Sequence, residues 1–154
     1  RRLLAPQAGE RLFDLYAGVG LFGLSLAAAP DGQLQVTLVE GDRRACELAE
    51  INRGQQPATI VRANVERWAA RPGALQEADL VVLDPPRTGA GAAVTGAIAA
   101  AGPRAVAYVA CDPVALARDV ATFAEGGYAL REIVALDLFP TTHHVECVAL
   151  LVPQ

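Results

Sequence analysis

Residues 79–83, DLVVL, form an apolar run without polar alternation, and they lead straight into Asp84-Pro85-Pro86-Arg87. A strand that is apolar on both faces belongs in a parallel sheet covered by helices on both sides. Parallel strands need crossover connections, so helical segments must alternate with strands along the chain. They do. Residues 12–16 predict a strand ending in the turn Ala17-Gly18-Val19-Gly20, and residues 21–29 a helix stopped by Pro30-Asp31-Gly32. Residues 34–40 (LQVTLVE) predict a second strand, 42–52 a helix, 59–61 a short third strand and 65–70 a short helix. Beyond the DLVVL run come a helix at 92–101 and a strand at 105–110 that leads into Cys111-Asp112-Pro113. The helix at 113–125 opens on proline and is closed by Gly126-Gly127. Two last strands, 133–138 and 146–152, flank the polar loop FPTTHH with no helix between them. The expected architecture is α/β, a doubly wound and mostly parallel sheet with an antiparallel C-terminal hairpin.

The 154 residues are 53% hydrophobic and 19% charged, which predicts one folded domain over residues 1–154 rather than a disordered chain. No run of apolar residues is long enough for a membrane span, and no basic leader precedes an apolar stretch. The chain starts at Arg1, and the expectation is a catalytic piece of a longer polypeptide. Cys46, Cys111 and Cys147 form no C-x-x-C pair, so reduced thiols and a cytoplasmic location are expected, with one thiol available as a nucleophile. A net charge of −4 lacks the basic footprint of a self-sufficient nucleic-acid binder.

Gly18-Val19-Gly20-Leu21-Phe22-Gly23 matches G-x-G-x-x-G, and Glu40 closes the second strand. Two ligands suit that pair. A dinucleotide would set its pyrophosphate on the turn, whereas S-adenosylmethionine would place its amino-acid portion there, with the acid on the ribose in both cases. Asp14, near the end of the first strand, is expected to repel a pyrophosphate and suit a cation. A tight turn needing glycine only for packing is the plain alternative. His143-His144 does not suggest a metal, because adjacent residues on an extended segment point in opposite directions. Trp68, Cys46 and Cys147 are expected to pack in the core.

DLYAGVGLFGLSLA, LDPPRTG, YVACDP and DLFPTTHHVE occur in this order. Together they resemble the RNA 5-methyluridine (uracil-C5) methyltransferases over residues 10–152. The resemblance implies a Rossmann-like, seven-strand methyltransferase fold, S-adenosyl-L-methionine as cofactor, and RNA as partner, with ribosomal RNA favoured over transfer RNA. It implies neither a metal nor a membrane. Tyr16, Gly18, Gly20, Leu21, Glu40, Asn64 and Asp84 match the family's cofactor-contacting positions, Cys111 its nucleophile and Glu146 its general base. Asp84 and Arg87 are candidates for holding the uracil or a phosphate; a surface ion pair is the alternative for Arg87. The pattern departs at Ala17, usually cysteine, and at Leu21, usually a polar residue. The RNA-binding segments found upstream in family members do not occur in this sequence.

The chemistry asks for the same residue types. Uracil C5 is a poor nucleophile until a thiolate adds at C6, and the proton left on C5 needs a base before the thiolate can leave. The alternatives are a methyltransferase acting on another substrate, a noncatalytic nucleoside- or RNA-binding module, and, third, a dehydrogenase.

Overall fold

The computed structural model describes residues 1–28, 33–138, 140–142 and 145–154. β1 (Arg11–Leu15), β2 (Gln35–Glu40), β3 (Ala58–Arg62), β4 (Leu80–Leu83), β5 (Ala105–Ala110), β6 (Tyr128–Leu136) and β7 (Glu146–Pro153) form one sheet in the order β3-β2-β1-β4-β5-β7-β6. β7 pairs antiparallel with both β5 and β6, and the pairings among β1 to β5 are parallel. The strand order reverses between β1 and β4. Connections leaving these two neighbours diverge to opposite sides, which opens a crevice at their C-terminal ends.

The period-2 alternation of the strands sends side chains into two cores. Phe13, Leu15, Val81, Leu83, Val106 and Tyr108 face the side that also holds Val65, Val94, Ile98 and Phe123. Leu12, Val36, Leu38, Leu80, Val82 and Ala107 face the side that holds Leu24, Leu26 and Ala49. Thus α3 (Val65–Ala69), α4 (Gly91–Ala101) and α5 (Pro113–Glu125) cover one face, while α1 (Leu21–Ala27) and α2 (Arg43–Arg53) cover the other. β4 is buried throughout, as its uninterrupted apolar run requires.

Local signals set where the helices begin. Asp42 accepts a hydrogen bond from Ala45 N at 2.7 Å, Asn64 from Arg67 N at 2.9 Å, and Asp112 from Ala115 N at 2.8 Å, so each caps the helix that follows it. Pro113 opens α5, where its missing N–H leaves no intrahelical bond unmade. Most expected elements agree within two residues. The predicted continuation of the first helix to Ala29, and its Pro30-Asp31-Gly32 stop, lie outside the described residues.

β6 is the exception, running from Tyr128 to Leu136 where the sequence predicted 133–138. Its ladder with β7 slips between Leu130 and Glu132, which changes the phase of the in-and-out alternation within one strand. A simple period-2 pattern therefore covers only the later half.

The third glycine of the turn is fixed by a close approach. A Cβ on Gly23 would stand 2.5 Å from Leu38 Cδ2 and 2.9 Å from Asp14 Oδ2. The added methyl must push either a β2 core leucine or a buried carboxylate. Gly23→Ala is expected to lower stability by about 1–3 kcal/mol, the usual range for overpacking, as a reduced urea midpoint at unchanged slope.

Candidate active site

Asp84 follows β4, Cys111 follows β5 and Glu146 opens β7, so all three emerge at one edge of the sheet. They line a cavity of about 910 Å³ whose walls include Leu21, Ser25 and Val148. The last β5–β7 pair is Ala110 with Cys147. One step further in this antiparallel register sets Cys111 opposite Glu146, on the strand face shared with Val109 and Val148. Alternation turns the neighbouring Cys147 the other way, into the core.

The three thiols are sorted by the same geometry. Cys46 and Cys147 are buried, and Cys111 is half-buried. Burial pushes the Cys46 and Cys147 thiols up, with the charges of Glu40 and Glu146 respectively acting in the same direction. They are core thiols, as expected. Burial likewise raises the Asp84 carboxyl above its usual range, and the nearby Glu146 charge raises it further.

A second cavity of about 960 Å³ lies at the opposite end of β1, β2 and β3, lined by Arg11, Gln35 and Thr59 among others. Its described lining contains neither thiol nor carboxylate. Ligands of open α/β sheets bind at the other end, at the strands' C-termini.

The glycine turn stands beside the first cavity. Gly18 and Gly20 have φ of 54° and 85°, a region that favours glycine. Gly18 N donates to Glu40 Oε2 at 2.8 Å, and Asp42 N donates to Glu40 Oε1 at 2.7 Å. Gly23 N donates to Asp14 Oδ2 at 2.7 Å. Protein carboxylates thus already hold two of the turn's amides, and Glu40 adds negative charge where a pyrophosphate would need the opposite. Asp84 N donates to Leu15 O at 3.3 Å, tying the loop after β4 to the strand that carries the turn.

Tyr16, Asn64 and Glu66 join into one chain. The Tyr16 hydroxyl donates to Glu66 Oε1 at 2.9 Å, and Asn64 Nδ2 donates to the other oxygen of Glu66. Burial and then this bond push the Tyr16 phenol up, so it keeps its proton as the donor. Sequence inspection singled out Tyr16 and Asn64 but missed Glu66. Its position two residues after a helix cap is the local signal; its meeting with Tyr16 is a long-range event.

The candidates therefore form two adjoining groups. Asp84, Cys111, Glu146 and Leu21 share the cavity, whereas Tyr16, Gly18, Gly20, Glu40 and Asn64 gather at the ends of β1, β2 and β3. Arg87 is exposed and is not among the described lining residues. Asp14 corrects the sequence argument: it is fully buried beneath the turn and does not face a ligand. Trp68 packs on Phe13 with ring centroids 5.9 Å apart, as a core residue does. His143 and His144 lie outside the described residues. Among the described residues no cluster could hold a metal, and no helix is long and apolar enough to cross a membrane.

The family model described as tRNA (uracil-5-)-methyltransferase matches residues 73–154, which include the loops of Asp84, Cys111 and Glu146. The chain belongs to the uracil-5 methyltransferase family. A methyltransferase small-domain model matches residues 2–107, the part carrying the glycine turn. An RNA methyltransferase of Streptomyces avermitilis, itself uncharacterized, is 47% identical over 97% of this chain and 35% of its own length. The 23S rRNA (uracil(1939)-C(5))-methyltransferase of Vibrio vulnificus is 37% identical over 96% of this chain and 34% of its own. The structure of Pyrococcus abyssi tRNA (uracil-54, C5)-methyltransferase in complex with S-adenosyl-L-homocysteine superposes with a TM-score of 0.80 at 35% identity, covering 99% of this chain and 36% of that one. The chain thus spans about a third of the length of the curated relatives it matches.

Asp14 gives the site a titration of its own. Burial, helped by the Asp84 and Glu40 charges and opposed by the Gly23 amide, lifts its carboxyl to about 7. Its Oδ1 is buried without a hydrogen-bond partner. The folded state therefore binds the Asp14 proton more tightly than the unfolded chain does. This contribution to stability is complete below the usual carboxylate range and is lost as pH rises through about 7. Asp14→Asn keeps an acceptor for Gly23 N and removes the titration. Between pH 5 and 7 the wild type is expected to lose stability relative to this variant, with a slope approaching about 1.4 kcal/mol per pH unit. Urea unfolding of both proteins across that range measures it.

Proposed function

We propose that this chain is the catalytic part of an S-adenosyl-L-methionine-dependent RNA (uracil-C5-)-methyltransferase. The observation that carries it is the register of β5 and β7, which continues from Ala110–Cys147 to place Cys111 opposite Glu146 in the cavity lined by Asp84. A nucleophile and a base, on opposite strands and turned to one space, are what methylation at a ring carbon next to an electrophilic carbon requires.

The residues fit a cationic nucleoside cofactor. Each Glu40 oxygen accepts one backbone N–H and keeps a further lone pair for ribose hydroxyls. The Glu40 carboxylate on the glycine turn favours a sulfonium over a pyrophosphate, so a dinucleotide fits less well. Gly18, Gly20 and Leu21 would hold the amino-acid end, Tyr16 and Asn64 would shape the pocket, and Asp84 would accept a hydrogen bond at its mouth. Leu21, with 64% of its surface exposed, offers the cofactor an apolar contact and its backbone. When bound, S-adenosyl-L-methionine supplies an electrophilic methyl group.

In the proposed reaction the Cys111 thiolate adds to C6 of uracil, and the electron pair moves to C5. With the methyl donor bound, C5 would be the carbon that takes up the methyl group. Glu146 takes the remaining C5 proton, the C5–C6 double bond re-forms, and Cys111 leaves as thiolate. Arg87, on the loop after β4, would steer a phosphate or a uracil oxygen. A base within folded RNA must first be flipped out to reach Cys111.

Ribosomal RNA is the proposed substrate, supported by the Vibrio vulnificus relative named for 23S rRNA. A chain of net charge −4 supplies little phosphate affinity; further segments, in proteins about three times as long as this chain, would provide it. Free thiols throughout are consistent with the proposed cytoplasmic site of action.

S-adenosyl-L-homocysteine is expected to bind the purified chain more tightly than NADH does, and Glu40→Ala to weaken it about tenfold, the loss of one charge-assisted contact of about 1.4 kcal/mol. Calorimetry on the two ligands decides between cofactors.

With the complete polypeptide, RNA carrying 5-fluorouridine should trap a covalent adduct that Cys111→Ala abolishes. Glu146→Gln should accumulate a methylated adduct from ordinary RNA, seen with labelled methyl donor on denaturing gels. Turnover of Glu146→Gln at the wild-type rate without adduct would remove Glu146 from the mechanism, and an adduct surviving in Cys111→Ala would reject the nucleophile. Mapping of 5-methyluridine in ribosomal and transfer RNA, with and without the gene, assigns the substrate.

A further inference from the structure

The pairing of β4 with β5 ends at Leu83 and Tyr108, so Asp84 and Cys111 leave the sheet on separate loops. Their relative position has to be held by something other than the ladder. Asp119 lies on the inner side of α5 and is 5% exposed. Its Oδ2 accepts from Ala90 N at 2.7 Å, and its carboxylate also accepts from Gly91 N at 3.2 Å. The Tyr108 hydroxyl donates to the same Oδ2 and accepts from Ala90 N at 3.1 Å. Burial and then this bond push the Tyr108 phenol up, so it remains a donor.

These bonds knit three elements together. Ala90 and Gly91 end the loop that starts at Asp84 and open α4; Tyr108 lies in β5, three residues before Cys111; and α5 starts two residues after Cys111. The loop rests directly on the carboxylate, since a Cβ on Gly89 would stand 2.8 Å from Asp119 Oδ2. Arg118 Nη2 also reaches Thr88 O at 3.4 Å. A carboxylate sealed in an apolar core among amides and a phenol is a costly way to fill space, and an apolar side chain would pack there with less desolvation. Its use lies in what it holds.

We propose that Asp119 is a positioning residue, which clamps the loop bearing Asp84 and Arg87 to the helix behind Cys111 and so sets the thiol and the carboxylate against one substrate ring. This inference rests on the proposed uracil-C5 chemistry.

The test uses the complete polypeptide and three variants. Asp119→Asn removes the charge at constant shape, Gly89→Ala pushes the loop off an intact carboxylate, and Tyr108→Phe deletes one bond while keeping the ring. Phe123→Leu, one turn along the same helix and making none of the clamp's hydrogen bonds, serves as a control for lost stability. Amide hydrogen exchange of residues 84–91 reads the clamp without any reaction. The rate of adduct formation on 5-fluorouridine RNA reads its consequence, and the dissociation constant for S-adenosyl-L-homocysteine reads the cofactor side. Asp119→Asn and Gly89→Ala should each raise exchange in 84–91 about tenfold and slow adduct formation about tenfold, with cofactor-analogue affinity within about threefold of wild type. Tyr108→Phe should act in the same direction more weakly, and Phe123→Leu should lower the unfolding midpoint while adduct formation stays within about twofold. Unchanged exchange in the first two variants overturns the clamp. Increased exchange with an undiminished adduct rate overturns the positioning role. A wild type that forms no adduct fails the proposed function itself and takes the positioning role with it, whereas the exchange result still decides the clamp.

Discussion

A strand sealed by helices on both faces leaves no place for an unpaired charge along its length. The inner strands β1, β4 and β5 are of this kind, and apart from Asp14 their charged neighbours stand at the strand ends; at the C-terminal ends the reversal of strand order opens a crevice. Asp84 and Cys111 each follow such a strand. Asp14 is the one charged residue that stays inside β1, and it does so by binding a proton near neutrality while its other oxygen holds the Gly23 amide. The exception obeys the rule, because the group that remains buried is the group that gives up its charge.

The glycine turn shows how a common motif is specialised by its surroundings. A bare G-x-G-x-x-G turn offers backbone N–H groups to whatever anion approaches. Here Glu40 takes the Gly18 amide and Asp14 takes the Gly23 amide, so both amides are closed to an anion and Glu40 lends the turn negative character. The same glycines that would cradle a pyrophosphate then favour a positively charged ligand. The discrimination resides in the Glu40 carboxylate and in the amides already taken, and not in the glycines.

β7 gives the site its second half. Inserted antiparallel between β5 and β6, it starts beside the C-terminal end of β5 and runs back along it. In that register Glu146 meets Cys111 although 35 residues separate them in the numbering (146 − 111). A one-residue slip would exchange Glu146 and Cys147, turning the thiol outward and the carboxylate into the core.

The order of strands and helices and the loops that carry Asp84, Cys111 and Glu146 were legible in the sequence, because periodicity, proline and glycine act over a few residues. β6 was half-hidden because its bulge breaks the period. The alliances among the polar groups were not legible. Burial of Asp14, the hold of Glu40 on Gly18, the bond from Tyr16 to Glu66, and the meeting of Asp119 with Ala90 and Tyr108 each join residues that are distant in the chain or turned by its packing. By itself the sequence determined which elements form and where each reactive side chain leaves them. Only the tertiary structure decided which side chains face one another, because that depends on strand order and register, which are set by the packing of the whole sheet.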